Sequence, residues 1–177
     1  FIDLLRKGNT QCYEMLFLKP NQIELDSPEW KNIQAKSHYL LDSDRLYKSV
    51  CGYIQSERRL AVGERTGKLG GKRYDQVIKL GFSPKNFVQL FRLTWAAAYF
   101  FQYGLFPVSV KDYDIDLWGN LMELKTKPEN FTKETLLTIS DGHEQIMKDS
   151  YANRKFKFQF DEDAANSLLL NLYKPYL

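Results

Sequence analysis

Lys85, Gln89 and Arg92 lie at helical spacing in the middle of the sequence and have the chemistry of an anion-binding site. At about 100° per residue they share one stripe of an α-helix. The helix that carries them is apolar on nearly every face, so we expect it to be buried. Two cations on a buried helix need anions close by, either carboxylates of the protein or phosphates of a ligand.

The basic residues are concentrated in the same part of the chain. The window from Arg58 to Arg92 holds nine basic and two acidic residues, a net charge of +7, whereas the remainder carries −4 and the whole chain +3. This window is also rich in glycine, and Gly-rich turns with basic side chains such as Lys72 and Arg73 bind phosphates well. The pattern favours a phosphate site, and the alternative is a solvated loop whose charges only keep it soluble.

Several common motifs are absent. The glycine pairs that precede Lys68 and Lys72 enclose three residues instead of four, and no Ser or Thr follows either lysine, so the loop is not a P-loop. His38 and His143 stand alone, which makes a zinc site improbable.

Asp112, Asp114 and Asp116 alternate as metal-binding carboxylates on a strand would, and they are weak candidates for Mg²⁺ ligands. They precede a predicted helix, however, and acidic residues are favoured at a helix start in any case. We therefore expect no metal site in this chain.

The 177 residues are expected to form one mainly α, helical-bundle-like domain with at most short strands. Asp44 and the Ser-Pro pairs at 27–28 and 83–84 are predicted to begin helices. The region from Gly63 to Gly81 is predicted to be a loop, and a brief strand is possible over residues 156–160. Helices are predicted over residues 1–7, 11–17, 28–37, 45–62, 84–103, 114–125, 133–152 and 161–172.

Composition excludes several classes of protein. Aromatic residues make up 15% of the chain, which excludes disorder, and 10 Gly and 6 Pro exclude a collagen-like sequence. The longest strongly apolar stretch, Leu93–Phe101, is too short for a membrane span, so no membrane partner is expected. Cys12 and Cys51 do not make a disulfide scaffold, and we expect a reducing, cytoplasmic setting. The oligomeric state stays open.

Three segments together resemble a known family. Gly8–Phe17 is similar to the segment G-N-P-x-x-x-E-x-L-F of predicted nucleotidyltransferases in the DNA polymerase beta superfamily, of the stand-alone bacterial, phage and RNA-ligase-associated kind. Gly81–Leu93 is similar to their G-Y-x-x-K-x-x-x-H-x-x-R-L, and Tyr103–Val108 to their x-G-x-x-P-V. In this chain Thr10 replaces the family's Pro and Gln89 replaces its His, which removes a titratable group.

The resemblance implies that the chain is the helical part of an α+β enzyme. That enzyme would use Mg²⁺ to transfer a nucleoside monophosphate from an NTP such as ATP to a nucleic acid or another hydroxyl acceptor. Its Gly-Ser turn and catalytic carboxylates are expected upstream of Phe1, where the chain opens inside an amphipathic pattern without an initiator Met.

The resemblance also assigns roles to residues of this chain. Lys85 and Arg92 would face the phosphates with Gln89 beside them, and Asn9 and Glu14 would shape the cleft floor. For Asn9 the alternative is a helix C-terminal turn, and for Glu14 it is an ion pair with a helix cation.

Two further hypotheses stay open. The window from Arg58 to Arg92 could bind the RNA or DNA backbone without catalysis, with Tyr74 and Phe82 stacking on bases. Alternatively, the chain is a degenerate interaction subunit in which Lys85 and Arg92 are paired internally.

Overall fold

The computed structural model describes residues 1–24, 27–64 and 71–174, except for the side chain of Arg73. Within these ranges the chain forms ten α-helices and no β-strand, which confirms the predicted mainly α fold class. Short 3-10 turns lie at Pro20–Gln22, Val110–Asp112 and Pro128–Asn130. The helices are α1 (Ile2–Arg6), α2 (Thr10–Leu16), α3 (Pro28–Ala35), α4 (Ser37–Leu40), α5 (Ser43–Ala61), α6 (Gly71–Leu80), α7 (Pro84–Tyr103), α8 (Ile115–Thr126), α9 (Lys133–Ala152) and α10 (Glu162–Tyr173).

Several helix ends follow from local sequence. The side chains of Ser27, Asp114 and Asp161 accept hydrogen bonds from first-turn amides of α3, α8 and α10. Such a cap satisfies one of the N–H groups that the first turn leaves unpaired. α7 ends at Gly104, whose φ of +69° favours glycine and where a Cβ would lie 2.8 Å from the Phe156 ring.

The start of α5 differs from the prediction, because Asp42 and not Asp44 caps it. The Asp42 side chain accepts a hydrogen bond of 2.8 Å from the Arg45 backbone N–H. Asp44 lies inside the first turn, where its carboxylate accepts hydrogen bonds of 3.0 Å from Arg154 and from the Tyr151 hydroxyl. The two aspartates differ in their tertiary partners, which a local capping pattern does not encode.

The predicted loop from Gly63 to Gly81 is wrong over much of its described part, because α6 occupies residues 71–80. The part of the predicted loop at residues 65–70 lies outside the described ranges. The Val77 side chain packs closely over Gly63, and Leu80 packs against the core. The glycines of this region lie at or beyond the ends of α6, so the glycine content alone did not exclude a helix.

Residues 156–160 have no regular secondary structure and form no strand with any described neighbour. The Ser43 N–H donates to the Phe158 carbonyl at 3.0 Å, and the Phe158 N–H donates to Ser43 Oγ at 3.0 Å. The prediction of a brief strand is therefore wrong. The start of α5 forms the hydrogen bonds with the Phe158 backbone that a second strand would have formed.

α7 lies at the centre of the fold and packs against α5, α8 and α9. Twelve of its 20 residues are buried, which confirms the expectation of a buried helix. The rest of the core comes mainly from α1, α2, α4, α5, α8, α9 and α10, and it includes Tyr13 of α2 together with Phe82 and Phe106 from the segments that flank α7. In the described part of the chain, none of the helices combines the length and the apolarity of a bilayer-spanning segment.

Candidate functional site

A cleft of about 800 Å³ opens beside the first turn of α7. It is lined by the side chains of Lys72 on α6, Lys85 on α7 and Lys125 in the last turn of α8. Within the described ranges none of the three amines forms an ion pair. We call this site the lysine cleft. Three cations from three helices give it the charge that an anionic ligand requires.

A chain of hydrogen bonds connects Ser83 to Asn86 and Glu57, and the latter two line the lysine cleft. Ser83 Oγ donates to Asn86 Oδ1 at 2.6 Å, and Asn86 Nδ2 donates to the Glu57 carboxylate at 2.7 Å. Ser83 precedes α7 as predicted, but its side chain makes no bond to the helix backbone. The first-turn amides of α7 therefore lack a side-chain cap beside the cleft, at the end of the helix where the macrodipole is positive.

A smaller pocket of about 260 Å³ adjoins the lysine cleft. Its lining includes Asn9, Glu14, Gln89 and Arg92, and it shares Gln89 and Tyr53 with the larger cleft. We call it the arginine pocket. The structure thus brings together four residues predicted for the site and places them next to Lys85.

Arg92 is engaged by a carboxylate of the protein. Its Nη1 lies 2.7 Å from Glu14 Oε1, and its Nε lies 3.4 Å from Gln89 Oε1. The side chains of Arg92 and Glu14 are 25% and 22% exposed. The predicted alternative for Glu14, an ion pair with a helix cation, is therefore confirmed, and Arg92 already has the anion that its partly buried position requires.

Asn9 joins two helices below the arginine pocket. Its N–H donates to the Leu4 carbonyl at 3.0 Å and closes the end of α1, as the predicted alternative proposed. Its side chain also accepts a hydrogen bond of 3.1 Å from the Cys12 N–H and caps α2. The preceding Gly8 has a φ of +74°, and a Cβ there would lie 2.6 Å from the Arg45 carbonyl, so α5 holds this turn in place.

Tyr53, Glu57, Gln76 and Lys125 line the lysine cleft but were not among the predicted site residues. Burial raises the pKa of the Tyr53 phenol, and a hydrogen bond with Gln89 opposes that rise. Tyr53 therefore stays a neutral hydroxyl near pH 7. Tyr53 and Glu57 are one helical turn apart on α5, a signal that the sequence contains, whereas Lys125 reaches the cleft only through the packing of α8.

The rest of the predicted basic window has mixed surroundings. Lys72 lines the lysine cleft, and the Arg73 side chain lies outside the described part of the structure, as do Arg65 and Lys68. Arg58 forms an ion pair with Asp141. The predicted contribution of the Gly-rich turn to phosphate binding therefore stays a prediction.

The aspartate cluster does not converge on one point. Asp112 pairs with Lys19 at 2.8 Å, and Asp114 caps α8 through the Leu117 N–H at 2.9 Å. Asp116 lies in the first turn of the same helix. In the described ranges no group of three or more His, Cys, Asp or Glu side chains is arranged to hold a metal ion.

Comparison of the chain with protein-family models, with curated proteins and with solved structures found no match.

Proposed function

We propose that this chain is the helical, nucleotide-binding part of a nucleotidyltransferase and that the lysine cleft holds the triphosphate of an NTP. The complete enzyme would transfer a nucleoside monophosphate to a nucleic acid or another hydroxyl acceptor. The observation that supports the proposal is the convergence of Lys72, Lys85 and Lys125, which line one cleft without an ion-pair partner among the described residues.

The chemistry of the lysine cleft suits a polyphosphate. Ammonium groups bind phosphate oxygens through charge-assisted hydrogen bonds, and the uncapped amides at the start of α7 add donors of the same kind. Gln89 and the neutral Tyr53 hydroxyl provide further hydrogen-bonding groups. The volume of about 800 Å³ falls within the range typical of small-molecule sites.

In this proposal the chain supplies phosphate binding, and the reaction chemistry lies elsewhere. A nucleotidyltransferase would need Mg²⁺ to offset the charge of the phosphates. The described residues do not fit that ion, because their carboxylates form no cluster for a metal. On the resemblance to the family, the proposal assigns the metal ligands to another part of the complete enzyme.

A test of the proposal is calorimetric titration of the protein with ATP. Lys85→Ala is expected to weaken binding about tenfold, because it removes one charge-assisted contact. Lys79→Ala is the matched control, because Lys79 is an exposed lysine of α6 that does not line the cleft. Equal losses of ATP affinity in both variants would mean that the effect comes from the change in net charge alone. An absence of ATP binding to the unchanged protein would overturn the proposal.

A second function is a non-catalytic nucleic-acid-binding module that uses the window from Arg58 to Arg92. A groove of about 350 Å³ lined by Arg58, Arg59 and Lys133 favours it. Phe82 cannot stack on a base, because it is buried and packs on Phe87, whereas Tyr74 is exposed. This function predicts that affinity for duplex DNA falls steeply with salt and that ATP does not compete.

A further inference from the structure

α7 reaches solvent along one narrow stripe. Its residues that are not buried are Lys85, Val88, Gln89, Arg92, Trp95, Tyr99, Gln102 and Tyr103. At about 100° per residue, Arg92, Tyr99 and Tyr103 lie within about 40° of one another around the helix axis. The polar half of the stripe lines the lysine cleft and the arginine pocket, and the half that follows is mostly aromatic.

The aromatic half forms a connected set of rings, which we call the aromatic track. The centroid of the Tyr99 ring lies 5.7 Å from that of Trp95, 4.4 Å from that of Tyr103 and 5.3 Å from that of Tyr113. Tyr113 belongs to the turn before α8. Tyr103 is 60% exposed and Tyr113 is 37% exposed. The track therefore presents ring surface to solvent further along α7 than the residues that line the two pockets.

The charges along the stripe favour an anionic partner. The solvent-facing residues of α7 include no carboxylate; Lys85 has no ion-pair partner among the described residues, whereas Arg92 is paired with Glu14. At the far end of the track, the Lys19 amine lies 5.3 Å from the Tyr113 ring centroid. The same amine pairs with Asp112 and offsets the negative charge of that carboxylate. A single nucleic-acid strand combines charged phosphates with planar bases, and aromatic side chains bind such bases by stacking.

We propose that the aromatic track binds a single-stranded nucleic acid, with its bases stacked on Tyr103 and its neighbours. The inference rests on the proposed function and deepens it, because the strand would be the acceptor and the lysine cleft would hold the NTP. The track and the cleft follow the same helix face, so both substrates would be bound along α7.

The test is fluorescence anisotropy with labelled ten-nucleotide single-stranded RNA and DNA. Tyr103→Ala is expected to weaken binding about tenfold, whereas Tyr103→Phe, which keeps the ring, is expected to restore most of it. Tyr173→Ala is the matched control, since Tyr173 is 62% exposed and lies on α10. An abasic strand of the same length is expected to bind more weakly and to be insensitive to Tyr103→Ala.

Three results would overturn the proposal that the track binds a strand. The first is that neither RNA nor DNA binds, and the second is that Tyr103→Ala binds with the same affinity as the unchanged protein. The third is that an abasic strand binds as tightly as a normal one. Loss of binding in Tyr74→Ala but not in Tyr103→Ala would assign the strand to the basic window instead. ATP titration of the unchanged protein and of Lys85→Ala tests the lysine cleft separately, so each proposal can fail without the other.

Discussion

Lys85 and Arg92 share one face of α7 but have different surroundings. Lys85 is exposed at the start of the helix and has no ion-pair partner among the described residues. Arg92 is three-quarters buried, and Glu14 from α2 lies 2.7 Å away. A cation at an open helix end keeps its hydration and remains available to a ligand, whereas a partly buried cation needs a carboxylate of the protein. Under the proposed function, we therefore expect Lys85 to bind the ligand and Arg92 to play a positioning role beside Gln89.

Substitution of each cation by alanine tests this contrast in stability and is expected to give the largest effect. Arg92→Ala leaves Glu14 partly buried without its partner, so we expect the free energy of unfolding to fall by about 2 kcal/mol. Lys85→Ala is expected to change it by less than about 0.5 kcal/mol. Urea unfolding followed by circular dichroism measures both, and equal changes would show that the two cations have the same role.

A double-mutant cycle isolates the ion pair itself. We expect the coupling free energy between Glu14 and Arg92 to be about 1 kcal/mol, because both side chains are only partly shielded from water. The same cycle between Glu14 and Lys85 serves as the control and is expected to give a value near zero. A coupling near zero in the first cycle would mean that the contact does not stabilise the fold.

A smaller effect is expected on ligand affinity when the pair is released. Glu14→Gln removes a negative charge from the arginine pocket and frees Arg92 Nη1, so ATP is expected to bind about threefold more tightly. Competition titration at constant ionic strength measures the change. Weaker binding in this variant would instead show that Glu14 holds Arg92 in the geometry that the ligand needs.

The smallest effect concerns the buried side of α7, where His143 of α9 stacks on Phe91 with centroids 5.1 Å apart. Burial lowers the pKa of His143, and the charge of Asp114 opposes that shift. The unfolded chain therefore takes up a proton at higher pH than the folded chain, so stability is expected to fall as pH drops below about 6.5. His143→Gln should remove this part of the pH dependence, and an unchanged slope would contradict it.

Local signals predicted much of the fold. The bounds of α7 follow from a Ser-Pro start, a glycine stop and apolar periodicity. Both α7 and α9 were predicted correctly. α6 was missed because its flanking glycines indicate a loop when they are considered without the packing of Val77 and Leu80.

The candidate site was predictable only in part. Lys85, Gln89 and Arg92 could be placed together because a single helix positions them. Lys125 could not, since α8 reaches the cleft only in the folded chain. The pairing of Arg92 with Glu14 was predictable only in part, because the sequence suggested a helix cation as the partner of Glu14 but did not identify which cation.

Three lysines from three helices are proposed to bind one anionic ligand, and lysine acylation followed by mass spectrometry tests this most directly. With saturating ATP, Lys72, Lys85 and Lys125 are expected to lose reactivity together, while the exposed Lys79 and Lys157 keep theirs. Protection of only one of the three, or equal protection of all five lysines, would contradict a shared phosphate site.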